Sequence, residues 1–163
     1  MKKSDTLNER VFARQELVQE VKRLRLKSKT IAFTNGVFDI LHEGHIAVLA
    51  EAAALADVLI VGINSDRSVK KLKGQHRPVN GENSRALIIA SMIMVDAVTI
   101  FDEETPLELI ELIRPDVLVK GGDYTPDTVV GAKEVISWQG KVEIIPVREG
   151  FSTTNIINRI SSK

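Results

Sequence analysis

The 163-residue chain contains no cysteine. Disulfide scaffolds, thiol catalysis, iron–sulfur clusters and thiolate zinc sites are therefore excluded. Neither sign of charge prevails. The 22 Lys and Arg residues balance 22 Asp and Glu, for a formal net charge of zero, so the global basic field of a general nucleic-acid binder is missing. No apolar run approaches the ~18 residues of a membrane span. The first residues, MKKSDTLNER, lack the apolar stretch that follows the lysines of a secretory signal. A cytoplasmic protein engaging neither membrane nor nucleic acid is expected. Neither a Walker A sequence nor G-x-G-x-x-G occurs, which removes the main sequence support for P-loop NTPases and ordinary dinucleotide dehydrogenases.

The length suits one domain, and 44% hydrophobic with 27% charged residues is a globular composition. Short segments rich in β-branched residues recur at 30–34 (TIAFT), 58–63 (VLIVGI), 97–101 (AVTIF), 116–120 (DVLVK) and 142–147 (VEIIPV). Their near-continuous apolar runs are those of parallel strands covered on both faces. Helical periodicity lies between and after them, at 46–55, 85–95, 107–113, 132–138 and 154–160. Pro115 closes the third of these and Gly140 stops the fourth. The alternation predicts an α/β fold: a Rossmann-like, doubly wound, five-stranded parallel sheet in a single domain. Residues 1–28 predict an N-terminal amphipathic helix with an apolar stripe of Leu7, Val11, Val18, Val21 and Leu24. It is expected to pack on the domain formed by residues 29–163, with self-association as the alternative.

The stretch 34–45, TNGVFDILHEGH, falls where the first strand gives way to the first long helix. Ligands of open parallel sheets bind outside the carboxyl ends of strands, and a helix N-terminus there attracts anions. His42 and His45, three residues apart, point the same way along the first turn. Gly44 between them lets a phosphate approach the backbone. A zinc-protease site requires histidines at i and i+4, so this spacing does not fit one, and no metal ligand set is expected. The stretch 67–77, RSVKKLKGQHR, carries five Lys or Arg and no acid; it reads either as a solvated face or as a basic lid. Ser152, Thr153 and Thr154 precede the last helical segment. One hydroxyl would suffice for an N-cap, and three in succession suit a second phosphate site.

With these residues in view, the chain resembles the nucleotidyltransferase superfamily, whose members carry His-x-Gly-His at the first strand–helix turn. The resemblance runs from about Phe12 to Arg159. Asn64-Ser65-Asp66, Lys73-Gly74, Arg77-Pro78-Val79-Asn80, PDVLVKGGDY at 115–124 and EGFSTTNI at 149–156 make it most similar to the adenylyltransferase branch that forms ADP-heptose. The resemblance implies transfer of AMP from ATP, with Mg²⁺, to a heptose 1-phosphate. His42, His45 and Lys73 would be the catalytic groups. Thr34, Asn35, Gly36, Phe38, Gly44, Lys70, Arg77, Arg85, Ser152, Thr153 and Thr154 would contact the nucleotide. Lys120, Gly121, Gly122, Asp123 and Tyr124 would form its adenine and ribose site, Asp123 facing either ribose or metal. Asp39, Asn64 and Asp66 would meet the acceptor sugar phosphate. A homodimer, and a heptose kinase on a separate chain in the same pathway, are further implications.

The chain departs from the family pattern at Asn83, where an acid is usual, and at Val37 and Phe151, where close relatives often carry cysteine. Two rival readings stay open on sequence alone: a glycerol-phosphate cytidylyltransferase of the same superfamily, and a non-catalytic nucleotide sensor. A third, a metallohydrolase, would need tight metal binding by His42 and His45.

Overall fold

A computed structural model describes residues 4–146 together with 153, 156, 157 and 160. Parallel strands β1 (Ile31–Gly36), β2 (Val58–Asn64), β3 (Ala97–Phe101), β4 (Val117–Gly121) and β5 (Lys141–Ile145) form one sheet in the order β3-β2-β1-β4-β5. Each lies within one or two residues of its expected segment. Register is continuous across the centre, with Phe33 opposite both Ile60 and Leu118.

Side chains alternate across a strand, so β1 feeds two cores. Ile31 and Phe33 join Leu17, Val21 and Leu24 of α1 (Arg14–Leu26), Leu109 and Ile113 of α5 (Leu107–Ile113), and Val135 of α6 (Ala132–Ser137). Ala32 faces the other way, toward Leu49 of α2 (Glu43–Ala53) and Ile89 of α4 (Glu82–Ala90). Burial on both faces explains why the strands read as unbroken apolar runs. No helix among the described residues is long and apolar enough to cross a membrane.

Two expectations need correction. The N-terminal stripe is not one helix. Ser4–Arg10 forms a 3-10 turn, and Val11 bridges to Val98 while the Phe12 N–H donates to the Val98 carbonyl at 2.8 Å. The α-helix starts afresh at Arg14, and its inward face is Leu17, Val21 and Leu24. The α4 helix begins at Glu82 and ends at Ala90, rather than spanning 85–95. The basic stretch begins as a helix, α3 (Asp66–Lys73), capped by the Ser65 hydroxyl, which accepts from the Ser68 N–H at 3.0 Å. Lys70, Lys71 and Lys73 sit in its last turn, where the helix dipole favours cations. The expected 154–160 helix lies mostly outside the described residues; Thr153, Ile156, Ile157 and Ile160 have helical backbone.

Candidate active site

Strand order 3-2-1-4-5 sends the chain from β1 outward in opposite directions, and the crevice at that reversal is where such sheets bind ligands. Here the carboxyl ends of β1 and β4 open on a cavity of about 260 Å³. Thr34, Asn35 and Gly36 reach it from β1, and Phe38, His42, Gly44 and His45 from the turn into α2. Lys120, Gly121, Gly122 and Tyr124 reach it from the end of β4. Residues some 85 positions apart in the chain are thereby gathered on one rim. Gly121 permits the close packing of β4 on α2, since a Cβ there would stand 2.5 Å from Val48 Cγ2.

His42 is the N-cap of α2, with extended backbone, and its carbonyl accepts from the His45 N–H at 3.0 Å. The two imidazoles stack with centroids 3.9 Å apart, and Phe38 tilts against His45 at 5.4 Å. Phe38 itself is held in the left-handed region, at φ 48°. Burial, and then the neighbouring His42, push the His45 pKa down to about 4. Burial also lowers that of His42. Both rings are neutral near pH 7, and His45 Nδ1 is buried without a hydrogen-bond partner.

The sign of the linkage is fixed by that shift. The unfolded imidazole protonates near ~6.5, whereas the folded His45 resists until about 4. His45 therefore withdraws stability as pH falls through that window and leaves it intact above. An NMR titration of the His45 ring should give a midpoint near 4 in the free protein, rising when inorganic triphosphate is added. A midpoint near the ordinary histidine value in the free protein would contradict the burial seen here.

Lys120 brings the cation. Its Nζ lies 3.3 Å from Asn35 Oδ1 and 5.5 Å from the centroid of the Tyr124 ring. Burial lowers its pKa. A second cavity, of about 340 Å³, adjoins the first and shares Asn35, Gly36, Lys120 and Tyr124 with it. Asn64 and Lys73 line this second space, as do Glu104 and Thr105 of the turn after β3. Sequence reasoning missed Glu104 and Thr105, which have no motif of their own; only the sheet brings them beside Lys120.

Several expected contacts are placed elsewhere. Arg85 was expected on nucleotide phosphate, but its side chain is fully buried. Its donors go to Asn80 O at 2.9 Å, Val37 O at 2.6 Å and Asp66 Oδ1 at 2.8 Å. That also commits Asp66, expected at the acceptor, to a structural ion pair. Asp39 was expected there too and is just 3% exposed. Its carboxylate accepts from Arg77 Nε at 2.7 Å and from the Val79 and Asn80 N–H groups. Burial alone would raise the Asp39 carboxyl, yet those backbone donors and Arg77 hold it below its ordinary value. Arg77 is correspondingly tied down rather than part of an open lid. Lys70 and Asp123 are exposed and line neither cavity. Thr153 Oγ1 donates to the Ile40 carbonyl at 3.1 Å, bringing that residue to the histidine turn. Ser152 and Thr154 lie outside the described residues.

The chain is 57% identical over 150 residues to the bifunctional protein HldE of Koribacter versatilis, covering 92% of this chain and 31% of that one. It is 58% identical over 140 residues to HldE of Campylobacter jejuni subsp. doylei, covering 86% and 30%. The chain thus spans under a third of the length of these relatives. A crystal structure of the lipopolysaccharide core biosynthesis protein from Thermoplasma volcanium superposes with a TM-score of 0.59 at 28% identity, covering 74% of this chain and 97% of that one. Pantoate–β-alanine ligase from Francisella tularensis, with a TM-score of 0.56 at 18% identity and coverage of 90% and 76%, shares the fold alone. A family model described as cytidylyltransferase-like matches residues 33–163. The chain belongs to the cytidylyltransferase-like family.

Proposed function

We propose that this chain transfers AMP from ATP to a heptose 1-phosphate, giving ADP-heptose and pyrophosphate. The observation that carries the reading is the convergence of His42, His45 and Lys120 on one cavity at the β1/β4 crevice, with a second polar cavity opening from it. The similarity to HldE proteins and to a lipopolysaccharide core biosynthesis protein supports the choice of acceptor. The reaction is assigned to the cytoplasm, where ATP is supplied.

ATP occupies the first cavity, its base and ribose against Gly121, Gly122 and Tyr124, and its phosphates toward the histidines. Mg²⁺ enters with it as the substrate complex. The acceptor takes the adjoining cavity, its phosphate between Lys73 and Lys120. An oxygen of that phosphate attacks the α-phosphorus, a new P–O bond forms, and the bond to the departing pyrophosphate breaks in line. A phosphate monoester has a second pKa near ~6, so the nucleophile is already ionised and no general base is required. What the protein supplies is position and donors aimed at the oxygens where charge accumulates. Neutral imidazoles suit that task, because they donate without first holding a tight ground-state ion pair.

Pyrophosphate release with ATP and with CTP, against a panel of sugar and polyol phosphates, tests the reading. Turnover is expected with ATP and a heptose 1-phosphate. Turnover confined to CTP and glycerol phosphate would replace the acceptor and base, and binding without turnover would indicate a sensor.

A further inference from the structure

The family match begins at residue 33, so the first helix and the 3-10 turn before it lie outside the matched domain. They nevertheless dock on the β3 edge. The Phe12 N–H donates to Val98 O at 2.8 Å, the Thr99 hydroxyl donates to Phe12 O at 3.0 Å, and Leu17 is fully buried. This docking sets the first turn of α1 against the turn at residues 102–106, whose Glu104, Thr105 and Pro106 wall the second cavity.

Arg14 makes the connection. One guanidinium nitrogen is bonded to the Glu103 carboxylate, and Nη1 stands 3.5 Å from Glu108 Oε2. From Glu103 a chain of hydrogen bonds runs inward. The Ser68 hydroxyl donates to Glu103 O at 3.2 Å, and Asn64 Nδ2 donates to that same hydroxyl at 3.1 Å. Asn64 lines the second cavity. On the near side, Asp102 accepts from the Ser65 hydroxyl and pairs with Arg67. The turn is thus held at Asp102 from α3 and at Glu103 from α1.

We infer that the N-terminal segment is a working part of the acceptor site, with Arg14 a positioning residue that fixes the 102–106 wall and, through Ser68, Asn64. The inference rests on the reading of the second cavity as the acceptor's place. A half-exposed ion pair adds little to stability, so a merely structural Arg14 would be nearly silent on removal. A small displacement of a binding wall, by contrast, can weaken productive binding strongly.

Steady-state kinetics on the full chain, with ATP and heptose 1-phosphate varied separately, distinguish these. Arg14→Ala should raise KM for the sugar phosphate by about tenfold, leave KM for ATP within about twofold, and hardly move Tm. The charge exchange Arg14→Glu with Glu103→Arg should recover most of the loss. Val135→Ala, equally buried but on α6, serves as the structural control: it should lower Tm while keeping the ratio of the two KM values. Unchanged constants in Arg14→Ala, a parallel rise in both KM values, or the same split in Val135→Ala would overturn the inference. Absence of turnover by the wild-type chain on any sugar phosphate would instead sink the reading beneath it.

Discussion

His45→Ala lowers kcat by about 10²–10³, equivalent to about 3–4 kcal/mol of transition-state stabilisation, while the protein stays folded. The magnitude follows from where the ring sits. It is largely desolvated, stacked on His42 and backed by Phe38, so little reorganisation is needed when charge builds on the α-phosphoryl oxygens. A donor fixed in a water-poor site is worth more than one in solvent. Removing a ring whose Nδ1 is buried without a partner costs packing but orphans no neighbour there, and it abolishes the loss of stability between pH ~6.5 and about 4. Single-turnover AMP transfer, with circular dichroism as the fold check, measures both. Near-wild-type turnover would remove His45 from the chemistry.

Arg85→Met produces the opposite pattern, a large loss of stability. The guanidinium is fully buried and serves Val37 O, Asn80 O and Asp66. An apolar replacement strands the two carbonyls, while the partly exposed Asp66 carboxylate turns to water. Each carbonyl left without its donor costs about 1–3 kcal/mol, which together lower Tm by on the order of 10 °C for a domain of this size. Urea denaturation reads the loss directly. A variant with unchanged midpoint and a raised KM for ATP would return Arg85 to the nucleotide phosphates.

These two residues show how unevenly the site was legible. His42, Gly44 and His45 could be placed from sequence because their position is local: strand end, glycine, helix start. The same locality exposed Gly121 and Gly122 at the end of β4. Arg85, Arg77, Asp39 and Asp66 could not be sorted that way. A basic or acidic residue beside a phosphate-binding motif looks the same whether its partner is a ligand or another side chain. Only the approach of the 77–80 loop to the β1–α2 turn reveals that Asp39 holds Arg77, Val79 and Asn80. The α3 helix was obscured for a related reason. It spans eight residues with Ser68 and Val69 as its buried positions, too few for the apolar period to stand out against the lysines.

By itself the sequence determined the five strands to within two residues and most of the helices between them, because β-branched runs and 3.6-residue periods record which faces are buried. It also located the turn carrying His42, Gly44 and His45 between β1 and α2. The tertiary structure alone decided which strands lie side by side. With β1 paired to both β2 and β4, Asn35 and Lys120 meet on one rim, a second cavity forms beside them, and the N-terminal segment reaches the turn after β3. Burial is written into each residue's own polarity and spacing, whereas the partner of a charge is set by which distant segments the sheet brings together.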